Sequence, residues 1–228
     1  MPPDGQVAAA LGTGAMLRLA LAAMAGGRAP QLVRARIGRF ALRARTGPES
    51  ERIAVIGSRL PVHEWPRRPL RITAVDAHTG EFVVLDRDSG VPLVEAVAAS
   101  CAVPGVWAPV STGGRRLVDG GLRSPVNADL AAGCDQVVVL APIVRAIGPM
   151  IGVGAQVAAL REQGARVALV SPDAAALAAI GRNVLDPAHR AAAARAGRAQ
   201  AASAAAEVLG AWRQLGDGDR RYGGGRSG

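Results

Sequence analysis

Apolar and polar residues in the first third of the chain follow the spacing of helices. Residues 7–26 are rich in Ala and Leu and predict a helix, which early glycines weaken. Residues 31–45 carry an apolar stripe at helical spacing, surrounded by arginines and preceded by a proline suited to a first turn. A third helix is predicted over residues 49–58, before a Pro-rich loop.

The central part of the chain changes to the two-residue period of β-strands. Residues 70–76 and 81–86 predict a hairpin that turns at residues 78–80. A helix is predicted over residues 92–101, with Pro92 in its first turn, where a missing N–H does no harm.

The last part of the chain alternates strand and helix patterns. Residues 135–141 contain the run Val-Val-Val-Leu, which is typical of a strand buried in a parallel sheet. A helix over residues 156–163 separates it from a second apolar strand over residues 166–170, and a long helix is predicted over residues 186–212. Strand, helix and strand in this order predict an α/β fold.

Length and composition favour one domain, over residues 1–214, followed by a Gly- and Arg-rich tail over residues 215–228 that we expect to be disordered. No apolar run reaches the ~18 residues needed to span a bilayer, and no secretion signal is recognisable. Cys101 and Cys134 are too few for a disulfide framework and lie in apolar sequence, so we predict buried free thiols. These features favour a cytoplasmic protein, and peripheral contact with a membrane is compatible with them.

Metal and cofactor chemistry is not indicated by the sequence. The three histidines, His63, His78 and His189, are scattered and show no metal-ligand spacing. We expect His63 in a loop, His78 in a hairpin turn and His189 on a polar helix face. We therefore predict no metal and no cofactor.

The charge of the chain is strongly positive. All 27 basic residues are arginines, and the formal net charge is +9. Such a surface attracts anionic lipid head groups as readily as nucleic acid, and no nucleic-acid-binding motif is present. The arginines along residues 31–45 are read as a solvated helix face or as a patch that meets lipid. We expect a lipid or acyl-ester partner, and nucleic-acid binding remains a disfavoured third class.

Asp119 is the strongest candidate for chemistry. A tight turn at Gly113-Gly114 leads into a short strand over residues 116–118, which delivers Asp119 into Gly120-Gly121. The two glycines are expected to allow positive φ and close backbone approach. A carboxylate at a strand end can be aimed as a general base, although Asp-Gly is also a common turn dipeptide.

The surrounding segment resembles the second catalytic block of the patatin-like phospholipases. That block ends a helix with Ala-Ser, continues with Pro-Gly and an aromatic-x-Pro, places its catalytic Asp in Asp-Gly-Gly, and often carries an Asn shortly after. The matching residues here are Ala99, Ser100, Pro104, Gly105, Trp107, Pro109, Asp119, Gly120, Gly121 and Asn127. Asn127 is also a candidate cap for a short helix. The resemblance is good over residues 60–145 and loose outside them.

The family's first block has no counterpart here. The sequence contains no Gly-x-Ser-x-Gly elbow, so no nucleophilic serine is found, and Ser100 and Cys101 stand at a helix C-terminus rather than on such a turn. The resemblance implies a three-layer α/β sheet flanked by helices and incomplete at its N-terminus, with apolar sheet edges left unpaired. In a longer relative, the missing elements would precede residue 1.

The resemblance implies a lipid acyl hydrolase, a carboxylic ester hydrolase that uses a Ser–Asp dyad without histidine. Asp119 is carried over as the base, and Gly120 and Gly121 shape its turn. Because a base without its nucleophile gives no acyl transfer, we expect the chain alone to be inactive. The alternative is a non-catalytic remnant of the family that binds lipid or a protein partner.

Overall fold

The computed structural model of the chain describes residues 29–144, residue 146 and residues 150–212. Within them, α-helices and strands form a mixed α/β arrangement, which confirms the predicted class. In chain order the elements are α1 (Pro30–Arg43), α2 (Glu49–Arg59), β1 (Ile72–Asp76), β2 (Phe82–Leu85), α3 (Leu93–Ser100), β3 (Val110–Thr112), β4 (Arg115–Asp119), β5 (Gln136–Leu140), α4 (Val153–Glu162), β6 (Arg166–Val170), α5 (Ala174–Ile180) and α6 (Arg190–Trp212). Short 3₁₀ helices cover Gly120–Leu122, Ala128–Ala131 and Pro187–His189.

Four strands form an antiparallel sheet in the order β2-β1-β4-β3. The hairpin between β3 and β4 turns at Gly113 and Gly114, whose φ angles of 57° and 72° favour glycine. In the pairing of β1 with β4, Ala74 lies opposite Asp119. Because β1 begins two residues before Ala74, its first residues extend past the end of β4 and lie beside the turn that follows Asp119.

Two helices pack on this sheet: α1, which precedes β1 in the chain, and α3, which lies between β2 and β3. Helix α3 is buried through small residues such as Ala96 and Ala99, which pack with Val110 and Leu117 of the sheet. Helix α1 approaches β1 so closely that a Cβ on Gly38 would lie 2.2 Å from the carbonyl oxygen of Ala77. Small residues therefore allow these helices to lie directly on the strands.

Strands β5 and β6 form a separate parallel pair, joined by a crossover that contains α4. The parallel arrangement predicted for the Val-Val-Val-Leu run is confirmed. Val157 and Leu160 of α4 pack against Val137 and Val139 of β5 in a second core cluster. In the described part of the chain β5 pairs only with β6, and Leu140 is 68% exposed.

Several predictions from the sequence need correction or have no test here. Residues 110–112, for which the sequence pattern predicts no strand, form one because they pair with β4. Cys134 was predicted to be buried and is exposed, whereas Cys101 is half-buried, and both thiols are free. The helix predicted over residues 7–26 and the tail over residues 215–228 lie outside the described residues.

The arginines near α1 divide into two groups. Arg39, Arg43 and Arg45 are exposed, whereas Arg34 and Arg36 are half-buried. The Arg34 Nε donates a hydrogen bond to the Gly80 carbonyl at 2.8 Å, so this side chain has a structural role. No helix in the described ranges has the length and apolar character needed to cross a membrane.

Candidate active site

Asp119 stands at the end of β4, and the backbone on either side holds it in place. Its N–H donates to the Ala102 carbonyl at 3.1 Å, which ties the strand end to the segment that leaves α3. Its Oδ1 accepts a hydrogen bond from the Gly121 N–H at 2.7 Å, while no described residue donates to Oδ2. The turn contact expected of an Asp-Gly dipeptide is therefore present, and it uses only one carboxylate oxygen.

Gly120 and Gly121 lie close to other atoms around the turn. A Cβ on Gly120 would lie 2.3 Å from the Thr73 Oγ1 and 2.4 Å from the Thr73 carbonyl oxygen. A Cβ on Gly121 would lie 2.9 Å from the Asp119 Oδ1. Neither glycine has a positive φ, so that part of the expectation is wrong. Close approach to the backbone of Thr73 explains Gly120, whereas an added methyl at Gly121 would meet only the side-chain carboxylate of Asp119.

The surroundings of Asp119 make its carboxylate a better proton acceptor. Burial raises the pKa of Asp119, and the hydrogen bond from Gly121 opposes this with a smaller effect. Burial disfavours the charged form, and the Gly121 N–H stabilises it. A general base works best when its pKa approaches the working pH, so the raised pKa suits a base.

Cys101 lies close enough to feel the charge of Asp119. Burial, and after it the negative charge of Asp119, raise the pKa of the Cys101 thiol, while Arg52 lowers it. A thiol with a raised pKa stays protonated at neutral pH and is a weak nucleophile. Ser100 makes no side-chain hydrogen bond to any residue in the described ranges. The structure thus provides no activated nucleophile at the end of α3.

Arg52 and Trp107 form a contact that the sequence did not indicate. The Arg52 guanidinium lies 4.2 Å from the centre of the Trp107 ring, at the distance of a cation–π pair. Burial lowers the pKa of Arg52, which the nearby Cys101 partly offsets. Trp107 is the aromatic residue of the aromatic-x-Pro motif, so this motif residue packs α2 against the loop after α3.

Asn127 belongs to the turn of Asp119 and does not cap a helix. It precedes Ala128–Ala131 but makes no side-chain capping bond, which corrects the sequence prediction. Its Nδ2 instead donates to the carbonyl of Gly120 at 3.2 Å and lies within bonding distance of the Ser124 carbonyl and the Thr73 Oγ1. Among the described non-glycine residues, Asn127 alone has a positive φ, at 45°. Asn tolerates this conformation better than most residues.

A groove of about 600 Å³ lies next to Thr73 and Asn127. It runs along β5 and is lined mainly by apolar side chains, with Arg71 at its rim. Binding sites for apolar ligands have this size and composition. The groove therefore offers an apolar surface beside the turn of Asp119.

The described residues include no group of three or more His, Cys, Asp or Glu side chains that could hold a metal ion. The chemistry that this arrangement supports is proton transfer at a single anchored carboxylate.

Comparison with models of protein families matches this chain to a known family. A family model described as patatin-like phospholipase matches residues 8–132, more than half of the chain. The match begins well before the segment on which the resemblance was based, and it includes Asp119, Gly120, Gly121 and Asn127. The β5–α4–β6 crossover lies beyond the matched range.

Proposed function

This chain belongs to the patatin-like phospholipase family, and on that premise we propose that it is part of a lipid acyl hydrolase in which Asp119 is the general base. One observation carries the proposal. The carboxylate is held by a single bond from Gly121 at 2.7 Å, its other oxygen is unused among the described residues, and burial raises its pKa. A turn residue needs only the first of these features.

The proposed reaction is acyl transfer through a serine. The Asp119 Oδ2 takes the serine hydroxyl proton as the serine oxygen attacks the ester carbonyl, and it returns that proton to the departing alcohol. Water then attacks the acyl-enzyme, again passing a proton to Asp119, and the carboxylic acid leaves as the serine is reprotonated. Asp119 ends each cycle ionised.

The nucleophile is the part of the dyad that this sequence does not display. No Gly-x-Ser-x-Gly occurs in it, and no described serine or threonine is hydrogen-bonded to Asp119. We therefore propose that the 228-residue chain by itself does not hydrolyse esters, and that activity requires a segment that supplies the serine.

The groove along β5 supports an apolar substrate. An acyl chain placed between Val126, Leu130 and Val137 would lie near the turn of Asp119 in contact with aliphatic side chains. The family acts on lipids at this general level, and the groove agrees with that substrate class.

A non-catalytic function is the second candidate. The exposed arginines Arg39, Arg43 and Arg45 of the α1 region favour a surface that contacts anionic lipid. In that case the chain would bind vesicles that contain anionic lipid, and replacement of Asp119 would have no effect on binding.

Hydrolysis of a short p-nitrophenyl acyl ester tests the proposal. Three proteins are compared: the chain as it stands, the chain extended upstream to include any Gly-x-Ser-x-Gly encoded there, and the extended form with Asp119→Asn. We expect activity only in the extended form with Asp119, and a loss of at least about 100-fold on Asp119→Asn.

Two results would contradict the proposal. Activity that survives Asp119→Asn would remove the role of Asp119. Activity of the 228-residue chain that depends on Asp119 would mean that it already contains the nucleophile, with Ser100→Ala as the next variant. If all three forms are inactive but bind anionic vesicles, the non-catalytic function is favoured.

A further inference from the structure

A series of buried, hydrogen-bonded polar side chains, Gln156, Ser124 and Asn127, connects α4 to the turn of Asp119. From these contacts we propose that Gln156 and Asn127 are positioning residues, which fix the Asp119 turn from the crossover that follows it. The importance of this for catalysis rests on the proposed function, whereas the coupling itself does not.

Gln156 is the first member of the series. It is 3% exposed and lies on the face of α4 that also buries Val153, Val157 and Leu160. Its Nε2 donates to the Ser124 Oγ at 2.8 Å, and its Oε1 accepts the N–H of Ala128 at 2.6 Å. A buried amide on an apolar helix face is costly unless both ends are bonded, and here both are.

Ser124 passes the restraint to Asn127. Its side chain is fully buried, and its Oγ accepts the backbone N–H groups of Val126 and Asn127, each at 3.3 Å. Together with the bond from Gln156, these contacts hold the chain in the bend that gives Asn127 its positive φ. The orientation of the Asn127 side chain is thereby set.

Asn127 completes the series at Gly120. Its Nδ2 donates to the Gly120 carbonyl, which also accepts the Arg123 N–H at 3.1 Å, and its Oδ1 accepts from the Arg123 guanidinium at 3.0 Å. Gly120 is in turn pressed against Thr73. The residue after Asp119 is thus held on two sides, and this restricts the orientation of the carboxylate.

A simpler explanation is that Gln156 only satisfies the Ala128 N–H at the start of a 3₁₀ helix. That role uses its Oε1 alone. The Nε2 bond to Ser124 connects Gln156 to both N–H groups that shape the Asn127 bend, and a local cap does not require it. The two explanations differ in whether the environment of Asp119 responds to a change in α4.

The experiment measures the pKa of Asp119 by NMR in variants of the 228-residue chain that carry carbon-13-labelled aspartate. Gln156→Leu keeps the size of the side chain and removes its bonds. We expect the pKa of Asp119 to fall toward that of an ordinary aspartate, because a looser turn admits water and burial is the main cause of the raised value. We also expect the Gly121 amide to exchange at least about tenfold faster.

Gln200→Leu is the matched control. Gln200 of α6 makes the same kind of contacts, with its Nε2 on the Ser171 carbonyl at 2.7 Å and its Oε1 on the Asp173 N–H at 3.1 Å. Among the described residues, no hydrogen bond joins these three to the Asp119 turn. The control should lower thermal stability without changing the pKa of Asp119 or the exchange of Gly121.

Two variants of Asn127 keep the test decisive if Gln156→Leu does not fold. Asn127→Gly accepts the positive φ but removes the side chain, and it should lower the pKa of Asp119 as Gln156→Leu does. Asn127→Asp keeps the shape but replaces the Nδ2 donor by an oxygen that faces the Gly120 carbonyl, so the Gly121 amide should exchange at least as fast as in Asn127→Gly. This variant is followed by exchange alone, because its new carboxylate would itself raise the pKa of Asp119.

The proposal is overturned if Gln156→Leu and Asn127→Gly lower thermal stability as Gln200→Leu does but leave the pKa of Asp119 and the Gly121 exchange unchanged. None of these readouts needs ester hydrolysis. Failure of the proposed enzyme function would therefore leave this result interpretable, and failure of the coupling would not by itself exclude Asp119 as a base.

Discussion

The two sheets of this protein differ in the kind of side chain that lies beside them. The four-stranded sheet is built from hairpins and leads into a half-buried titratable side chain, Asp119, with hydrogen-bonded polar groups around it. The β5–α4–β6 crossover buries aliphatic side chains, and a cleft of about 540 Å³ between its strand ends and α6 has no ionisable side chain in its lining. One region therefore has the features of a reactive site and the other those of a support.

Gln156 and Ser124 are where these two regions meet. Their bond joins the crossover to the Asp119 turn at 2.8 Å, inside protein where both groups are buried. A support that is hydrogen-bonded to a reactive turn can fix its geometry as well as its stability. The predictions below test this division of roles.

The largest effects should come from the two cores. Leu117→Ala in the four-stranded sheet and Leu160→Ala in α4 each remove a side chain that is 1% exposed, and each should cost about 2–5 kcal/mol. Because the regions share buried hydrogen bonds, we expect both variants to shift one common urea transition followed by tryptophan fluorescence and circular dichroism. Separate transitions for the two probes would show that the regions unfold independently.

The next largest effect should come from Gly120→Ala. The added methyl would meet the backbone of Thr73, which cannot move without breaking the sheet, so we expect a loss of about 3 kcal/mol. Gly197→Ala in α6 is the control, because a Cβ there meets nothing within 4 Å and should stabilise the helix by about 0.5–1 kcal/mol. Equal effects of the two variants in urea unfolding would contradict the close contact at Gly120.

Asp119→Asn should have a moderate effect that depends on pH. The folded state raises the pKa of Asp119, so the carboxyl favours folding when protonated, and this contribution is lost as pH rises through the raised pKa. The variant should therefore be more stable than the natural chain at neutral pH, with the advantage disappearing below the unfolded pKa. If the stability advantage of Asp119→Asn grew on acidification, the pKa of Asp119 would be lowered by folding and not raised.

The smallest effects should come from ion pairs. Arg123 binds both oxygens of Asp129 at 2.8 and 2.6 Å and stacks on Phe82, so Arg123→Gln should cost about 1 kcal/mol. Arg115 pairs with Glu81 at an exposed position, and Arg115→Gln should cost less than about 0.5 kcal/mol. Thermal unfolding of both variants at low and high salt checks this order. If Arg115→Gln lost more stability than Arg123→Gln, the paired and stacked Arg123 would not stabilise the protein more than an exposed ion pair does.

The sequence predicted the elements that local patterns determine. Alternation over residues 70–86 predicted the hairpin of β1 and β2, and the unbroken apolar run predicted the parallel strand β5. The position of Asp119 at a strand end was also predictable, since the strand and the Asp-Gly-Gly turn are adjacent in sequence.

Contacts between distant residues could not be predicted in this way. Gln156 looks like an exposed polar residue of an amphipathic helix, and only the fold brings it to Ser124, 32 residues earlier. Asn127 was a candidate cap as well as a motif residue, because Asn before a short helix often caps it, yet its amide donates to the Gly120 carbonyl, which only the fold brings close. Arg52 and Trp107 show the same limitation, since α2 and the loop after α3 meet only in the folded chain.

The most direct test of the account is the titration of Asp119 itself. Carbon-13 NMR of the natural chain, with the Asp119 signal identified by its absence in Asp119→Asn, gives the pKa of this one carboxyl. The account predicts a pKa above that of an ordinary aspartate, because burial outweighs the bond from Gly121. A pKa at or below the ordinary value would mean that the carboxylate is an exposed or fully satisfied turn group, and it would contradict the role proposed for Asp119.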